Sequence, residues 1–298
     1  MGQKMFRLGL VLMLSAVPLA AQQDFSGVEI QAQKVAEGLY MMTGAGGNLG
    51  VSVGEDGVFL VDDQYAPLTD KIRAAVKEIS DGEIRFVINT HWHGDHTGGN
   101  ENLGKSGTVI VAHDNVRERM SMEQFLALGN RKVPPSPKAA LPVITYEEAV
   151  TFHLNGQTIH AFHVPPAHTD GDSVVHFKEA GVVHMGDLFF NGMYPFIDTN
   201  AGGNIDGMIG AADKVLAMTD GATRIIPGHG PLTDREGLSA YRDMLVQVRD
   251  AVKALVDAGK TRDEVVAAKP TAPLDEVWGQ GFMKADMFTG FVFDGMKH

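Results

Sequence analysis

The chain reads as an α/β protein of two sheets packed face to face with helices outside, and three observations carry that reading. Residues 28–63 alternate short apolar runs with glycine-bearing turns, residues 144–185 do so again, and helix-period stripes stand between and after them. Elements that are apolar on one face each need a covering layer, and two sheets with outer helices is the most economical solution for this order. At 298 residues, 44% hydrophobic and 21% charged, the chain is long enough for a large core and globular in composition.

Taken in order, Leu39 to Met42, Val51 to Val53 and Val58 to Val61 are successive strands with glycine turns between them. Between Pro67 and Ile79, the residues Ile72, Val76 and Ile79 recur at helical spacing, and Gly82 closes the segment. Strands follow at 84–89 and 108–112. Residues 130–143 hold Pro134, Pro135, Pro137 and Pro142 and read as an irregular surface loop. Further strands are predicted at 144–152, 157–163, 173–178 and 181–185. Ile205, Met208, Ile209, Ala212, Val215 and Leu216 mark an amphipathic helix. Leu238, Tyr241, Leu245, Val248, Val252 and Leu255 mark a longer one whose stripe faces the core.

The amino terminus differs in kind. Lys4 and Arg7 precede the apolar run Leu8 to Leu14, and small residues follow at Ala16, Ala20 and Ala21, the tripartite pattern of a secretory signal. Residues 1–21 are therefore expected to be a cleaved signal peptide, and residues 22–298 a single domain delivered to a bacterial periplasm. The absence of cysteine excludes disulfides and lipid attachment at a processed Cys. No apolar run reaches the roughly 20 residues that span a bilayer, so no membrane insertion of the mature chain is expected. With 25 basic and 37 acidic residues, the chain lacks the basic stripes that phosphate neutralisation requires. A small-molecule substrate, not nucleic acid, is the expected partner.

The segment Thr90-His91-Trp92-His93-Gly94-Asp95-His96 follows the apolar strand Phe86-Val87-Ile88 and concentrates three histidines and an aspartate in one loop. Imidazole and carboxylate are ligands for divalent zinc. Four donors are more than one tetrahedral ion draws from so short a segment, which points to two metals sharing the loop. Three further donors stand at strand ends: His168 in Ala167-His168-Thr169-Asp170-Gly171-Asp172, Asp187 in Met185-Gly186-Asp187, and His229 in Pro227-Gly228-His229-Gly230. Each alone is a weak signal. Together, in this order, they are a strong one.

This ordered set resembles the metallo-β-lactamase fold superfamily over about residues 28–298. The resemblance implies an αββα sandwich with the metals at one edge of two mixed sheets. It also implies one zinc bound by His91, His93 and His168, another by Asp95, His96 and His229, and Asp187 bridging them. Asp62 matches the family's early acidic position and would orient a ligand or loop through a hydrogen bond. A water shared by two dications becomes a nucleophilic hydroxide near neutrality, and Asp95 would carry the proton. Iron or manganese is the alternative metal.

The expected activity is attack on an amide, ester, lactone, lactam or thioester carbonyl. The stretch His168 to Val175 resembles β-lactamases that use a cysteine ligand, but Asp187 stands where that cysteine would be. Phe190 stands where those enzymes place a lysine for the substrate carboxylate, and it cannot replace a charge-assisted contact. A bridging aspartate instead resembles glyoxalase II-like thioesterases and lactonases. An iron-dependent sulfur dioxygenase and a metal-binding accessory protein without turnover are the other classes weighed. Phe190, Met193, Tyr194 and Phe196, just after Asp187, are expected to form an apolar substrate wall. His113, His153, His160, His163 and His176 read as structural, His184 as lining a strand, and Trp92 as filling space or touching substrate.

Overall fold

A computed structural model describes residues 24–296, so the expected signal peptide lies outside the described residues. The first half contributes β1 (Gln31–Ala36), β2 (Leu39–Thr43), β3 (Leu49–Gly54), β4 (Gly57–Val61), β5 (Ile84–Ile88) and β6 (Val109–His113). A small hairpin, β7 (Gln124–Leu126) and β8 (Arg131–Val133), precedes β9 (Ile144–Tyr146). The second half contributes β10 (Ala149–Leu154), β11 (Gln157–His163), β12 (Ser173–Phe177), β13 (Val182–His184), β14 (Arg224–Ile226) and β15 (Thr233–Asp234). The helices are α1 (Thr69–Ile79), α2 (Gly94–Thr97), α3 (Asn100–Lys105), α4 (Asp114–Met120), α5 (Ile205–Met218), α6 (Arg235–Asp257), α7 (Arg262–Ala267), α8 (Asp275–Trp278) and α9 (Ala285–Gly295).

One sheet has the order β1-β2-β3-β4-β5-β6-β9 and the other β10-β11-β12-β13-β14-β15. Side chains alternate across a strand, and β4 uses both faces. Phe59 and Val61 face the second sheet, where they meet Ile159, Val175, Phe177 and Ile226. Val58 and Leu60 pack with Ile72, Ala75 and Val76 of α1. Burial on both faces explains why the strand reads as a continuous apolar run. The second sheet's outer face, through Val174, Val183 and Ile225, is covered by Leu238, Tyr241, Leu245, Val248 and Val252 of α6, with α5 and α9 beside it. Asp234 caps α6 by accepting hydrogen bonds from the Glu236 and Gly237 amides.

Two expectations are corrected. Residues 144–152 are not one strand. β9 closes the first sheet and β10 opens the second, with the crossing at Glu147-Glu148. Residues on both sides of the crossing have strand character, so composition does not betray it. The proline-rich loop also contains β8, which pairs with β7 through a turn that includes Gly129 and Asn130, both at positive φ.

The topology sends the strand ends that matter to one edge. β4 and β5 run parallel, as do β13 and β14, and β11 points with β13 because each is antiparallel to β12. Backbone hydrogen bonds stitch the sheets together there: Asn48 N–H to Gly228 O at 2.7 Å and Ser173 N–H to Thr90 O at 2.9 Å. Deeper between the sheets, Phe59 makes edge-on contacts with Phe152 and Phe177 at centroid distances of 4.9 and 6.4 Å. Phe59→Ala should cost about 3–5 kcal/mol by the cavity it leaves. Chemical denaturation checks this; a loss below about 1 kcal/mol would mean the two sheets do not depend on that packing.

Candidate metal centre

The loop after β5 changes direction within one residue. His93 is extended, and the single helical turn of α2 begins at Gly94, so Asp95 and His96 face a different part of the site from His91 and His93. His168 is set by a buried carboxylate: Asp172 Oδ2 accepts from the backbone amides of His168 at 2.7 Å and Thr169 at 2.8 Å. Asp187 sits on a tight turn that opens with Gly186 at φ +52°, whose amide donates to His184 Nδ1 at 3.1 Å. His184 thus lines its strand, as expected, and also braces the turn that carries Asp187.

All seven sequence-predicted donors meet at this edge, in two groups. His91, His93, His168 and Asp187 form one; Asp95, His96 and His229 form the other. Within each group one donor atom per residue lies within 4.8 Å of the others. Asp187 faces both. Its Oδ2 is 3.7 Å from His91 Nε2 and 3.5 Å from His168 Nε2. Its Oδ1 is 3.0 Å from His96 Nε2 and 3.3 Å from His229 Nε2.

Four histidines have their outward nitrogens engaged. His91 Nδ1 meets Thr90 Oγ1 at 3.1 Å, His93 Nε2 meets Asp198 Oδ2 at 3.0 Å, His96 Nδ1 meets Asp62 Oδ2 at 2.7 Å, and His168 Nδ1 meets the Phe196 carbonyl at 2.8 Å. Carboxylate and carbonyl oxygens only accept, so the three histidines facing them donate outward and turn lone pairs inward. Thr90 Oγ1 donates to Asp62 Oδ2 at 2.8 Å and so receives the His91 proton, with the same result. The inward nitrogens of His93 and His168 then stand only 2.9 Å apart. His91 Nε2, His96 Nε2 and Asp187 Oδ1 are buried without any hydrogen-bond partner, although the last two are neighbours. Lone pairs that converge on common points instead of on one another fit divalent cations.

The charges agree with this arrangement. Burial lowers His91 well below its ordinary value and His168 to about 4, keeping both neutral. Burial also opposes charge on His96 and His229, but carboxylates led by Asp187 outweigh it, raising His96 well above its ordinary value and His229 to about 9. Burial pushes Asp95 upward, yet His96 and His229 hold it at about 2; the same imidazoles, with His91, hold Asp187 well below the ordinary carboxylate range. The floor therefore attracts positive charge strongly, and a cation competes with protons for its lone pairs. Close backbone approach completes it. A Cβ at Gly47 would collide with the His96 ring, and one at Gly228 with Asp187 Oδ1.

A cavity of about 400 Å³ opens over the cluster, lined by Tyr65, Leu126, Leu128, Arg131, Phe196 and Phe282 above the metal-binding side chains. Two larger hollows, of about 580 and 820 Å³, contain none of the cluster. The expected apolar wall is mostly corrected: of its four residues only Phe196 lines this cavity. Tyr194 is fully buried, stacked on Phe288 at 4.8 Å, with its hydroxyl donating to Asp275. Met193 packs beside Gly281, and Phe190 lies buried beneath His229 with their rings stacked at 5.0 Å. Trp92 fills space in the core against His93. His113 caps α4 and stacks on His163, outside the cluster. Sequence reasoning missed Asp198, which belongs to no local motif, and Phe282, which is distant in the chain.

Asp62 holds three groups at once, the Thr90 amide, the Thr90 hydroxyl and His96 Nδ1, and does so at φ +62°. Asn tolerates that backbone conformation but halves the accepting capacity. Asp62→Asn should weaken metal affinity about 10- to 100-fold, read by competition with a chromophoric chelator; unchanged affinity would remove the orienting role.

The family model described as the metallo-beta-lactamase superfamily matches residues 42–229. A hydroxyacylglutathione hydrolase of Nitrosococcus oceani is 28% identical over 179 residues, which are 59% of this chain and 60% of that protein. A type 2 metallo-beta-lactamase of Bacteroides fragilis is 21% identical over 187 residues, covering 60% of this chain and 70% of that one. The first of these matches spans less than two thirds of its relative's length. Among solved structures, a metallo-beta-lactamase from Pontibacter korlensis superposes with a TM-score of 0.60 over 73% of this chain and 99% of the other, at 19% identity, a likeness of fold. With the donors gathered at the edge of two facing sheets and the matched segment running from Met42 to His229, the chain belongs to the metallo-beta-lactamase superfamily.

Proposed function

We propose that the chain is an exported, dinuclear-zinc hydrolase that opens an ester, thioester, lactone or amide carbonyl in a small molecule. The observation that carries this reading is Asp187, whose two oxygens face two separate sets of donors. His91, His93 and His168 would hold one zinc, Asp95, His96 and His229 the other, and Asp187 both. A bound pair of dications supplies Lewis acidity that lowers the pKa of water and polarises a carbonyl. The protein's own part is positioning. Asp62, Asp198, Thr90 and the Phe196 carbonyl lock four imidazoles in place. Asp95 is the cluster carboxylate more open to the cavity, with 22% side-chain exposure against 5% for Asp187. It is the group placed to pass a proton from the attacking water to the leaving group. The buried packing around Trp92, Phe190 and Phe196 excludes water from the far side of the cluster.

Phe190 bears on the substrate class. Buried under His229, it offers no cation to a substrate carboxylate, which favours esters, thioesters and lactones over carboxylate-bearing lactams as judged from that position. Export to the periplasm rests on the pattern of residues 1–21, and fractionation with amino-terminal sequencing tests it. The mature protein should contain two zinc equivalents and hydrolyse at least one class in a panel of esters, thioesters, lactones and lactams. Chelation should abolish turnover and zinc should restore it. One iron per chain, with oxygen uptake and no hydrolysis, would replace this reading with the dioxygenase one. His168→Ala should lower kcat/KM by at least about 100-fold and remove part of one metal equivalent. Full activity at full occupancy would contradict its role.

A further inference from the structure

The β7–β8 hairpin belongs to neither large sheet; its two strands pair with each other. Its register places Leu126 opposite Arg131 and Phe125 opposite Lys132. Directly opposed residues share a face, so Leu126 and Arg131 look one way and Phe125 and Lys132 the other. The inner pair lines the cavity above the cluster, together with Leu128 from the turn. The outer pair faces solvent, where Lys132 bonds Glu123 at 2.7 Å and Phe125 is exposed.

The cations around this hairpin have different fates. Arg119 grips both carboxylate oxygens of Asp170 at 2.6 Å, and Lys132 is paired with Glu123. Arg131 makes no side-chain hydrogen bond or ion pair among the described residues. In a chain with 37 acidic and 25 basic residues, an arginine at a cavity mouth without an acidic partner is free to meet one from outside. The acidic groups sharing its cavity are Asp95 and Asp187 on the floor, both committed to the cluster, and the Tyr65 hydroxyl experiences the charges of Asp95, Arg131 and Asp187 together. The remaining surface is apolar: Leu126, Leu128, Phe196 and Phe282, the last half-exposed at the rim.

We propose that Arg131 is a specificity-determining residue that pairs with an anionic group on the substrate, while Leu126, Leu128, Phe196 and Phe282 hold its apolar body over the metal cluster. The preferred substrates are then carbonyl compounds with an apolar body and a carboxylate at the end remote from the scissile bond. This rests on the hydrolase reading and deepens it. The anion contact comes from the hairpin and not from the Phe190 position, which is buried away from the cavity. Guanidinium binds carboxylate through two parallel hydrogen bonds, a geometry that a lone ammonium does not reproduce.

The test uses the zinc-loaded mature protein and two probes, the S-phenyl monothioester of hexanedioic acid and the same molecule with its free carboxylate replaced by a carboxamide. The wild type should prefer the carboxylate probe by about 10- to 100-fold in kcat/KM, mainly through KM. Arg131→Met should erase that preference at unchanged zinc content, with the loss in kcat/KM falling on the carboxylate probe far more than on the carboxamide probe, and Arg131→Lys should restore part of it. Equal use of both probes by the wild type, or an equal loss on both in Arg131→Met, would overturn the proposal. If neither probe is hydrolysed, the hydrolase reading is in question separately. Calorimetric binding of the matching non-cleavable thioethers then decides the role of Arg131. Tighter binding of the carboxylate thioether that is lost in Arg131→Met supports it, and equal binding overturns it.

Discussion

Asp187 is buried between two groups of imidazoles that would otherwise repel one another once charged, and the rest of the edge is arranged around it. One oxygen looks toward His91 and His168, the other toward His96 and His229. A carboxylate out of water is costly unless its charge is compensated, and here the compensation must come from both sides. This constraint fixes where β13 ends, why Gly186 takes positive φ, and why residue 228 has no side chain. It also fixes the docking of the two sheets, because the donors on each side of Asp187 come from both sheets.

Rigidity at the cluster comes from a surrounding ring of hydrogen bonds. Asp62 ties His96 and Thr90 to the end of β4, Asp198 anchors His93, and Asp172 shapes the loop of His168. These partners are themselves buried, so the His93 and His96 rings cannot turn without costing a buried carboxylate one of its partners. By contrast, the cavity mouth is made of loops and a hairpin that belongs to neither large sheet. The division is a common physical solution: a fixed chemical floor beneath a rim whose side chains are free to vary.

Much of this was legible in the sequence. The donors are grouped in short motifs at the ends of apolar strands, and parallel strands bring such ends together, so His91, His93, Asp95, His96, His168, Asp187 and His229 could be named from the motifs, whereas Asp62 and the division into two sets came with the family resemblance. Direction was not legible. Phe190, Met193, Tyr194 and Phe196 follow Asp187 closely, yet three of the four turn into the core, because chain proximity fixes distance but not the side on which a ring packs. Asp198 was invisible for the opposite reason: a single aspartate in Ile197-Asp198-Thr199 carries no pattern, and only folding places it against His93. The crossing between sheets at Glu147-Glu148 escaped because strand character continues across it.

That crossing has a consequence for when the centre can assemble. Four donors lie before it and three after, the last at residue 229. A nascent chain that has emerged only through the first sheet carries an isolated cluster of ligands with no Asp187 to share, no His168 to complete one set and no His229 to complete the other. Capture of a full complement of ions must therefore wait until the later sheet has docked. Metal binding at this edge is therefore a property of the finished fold and of no smaller part of it.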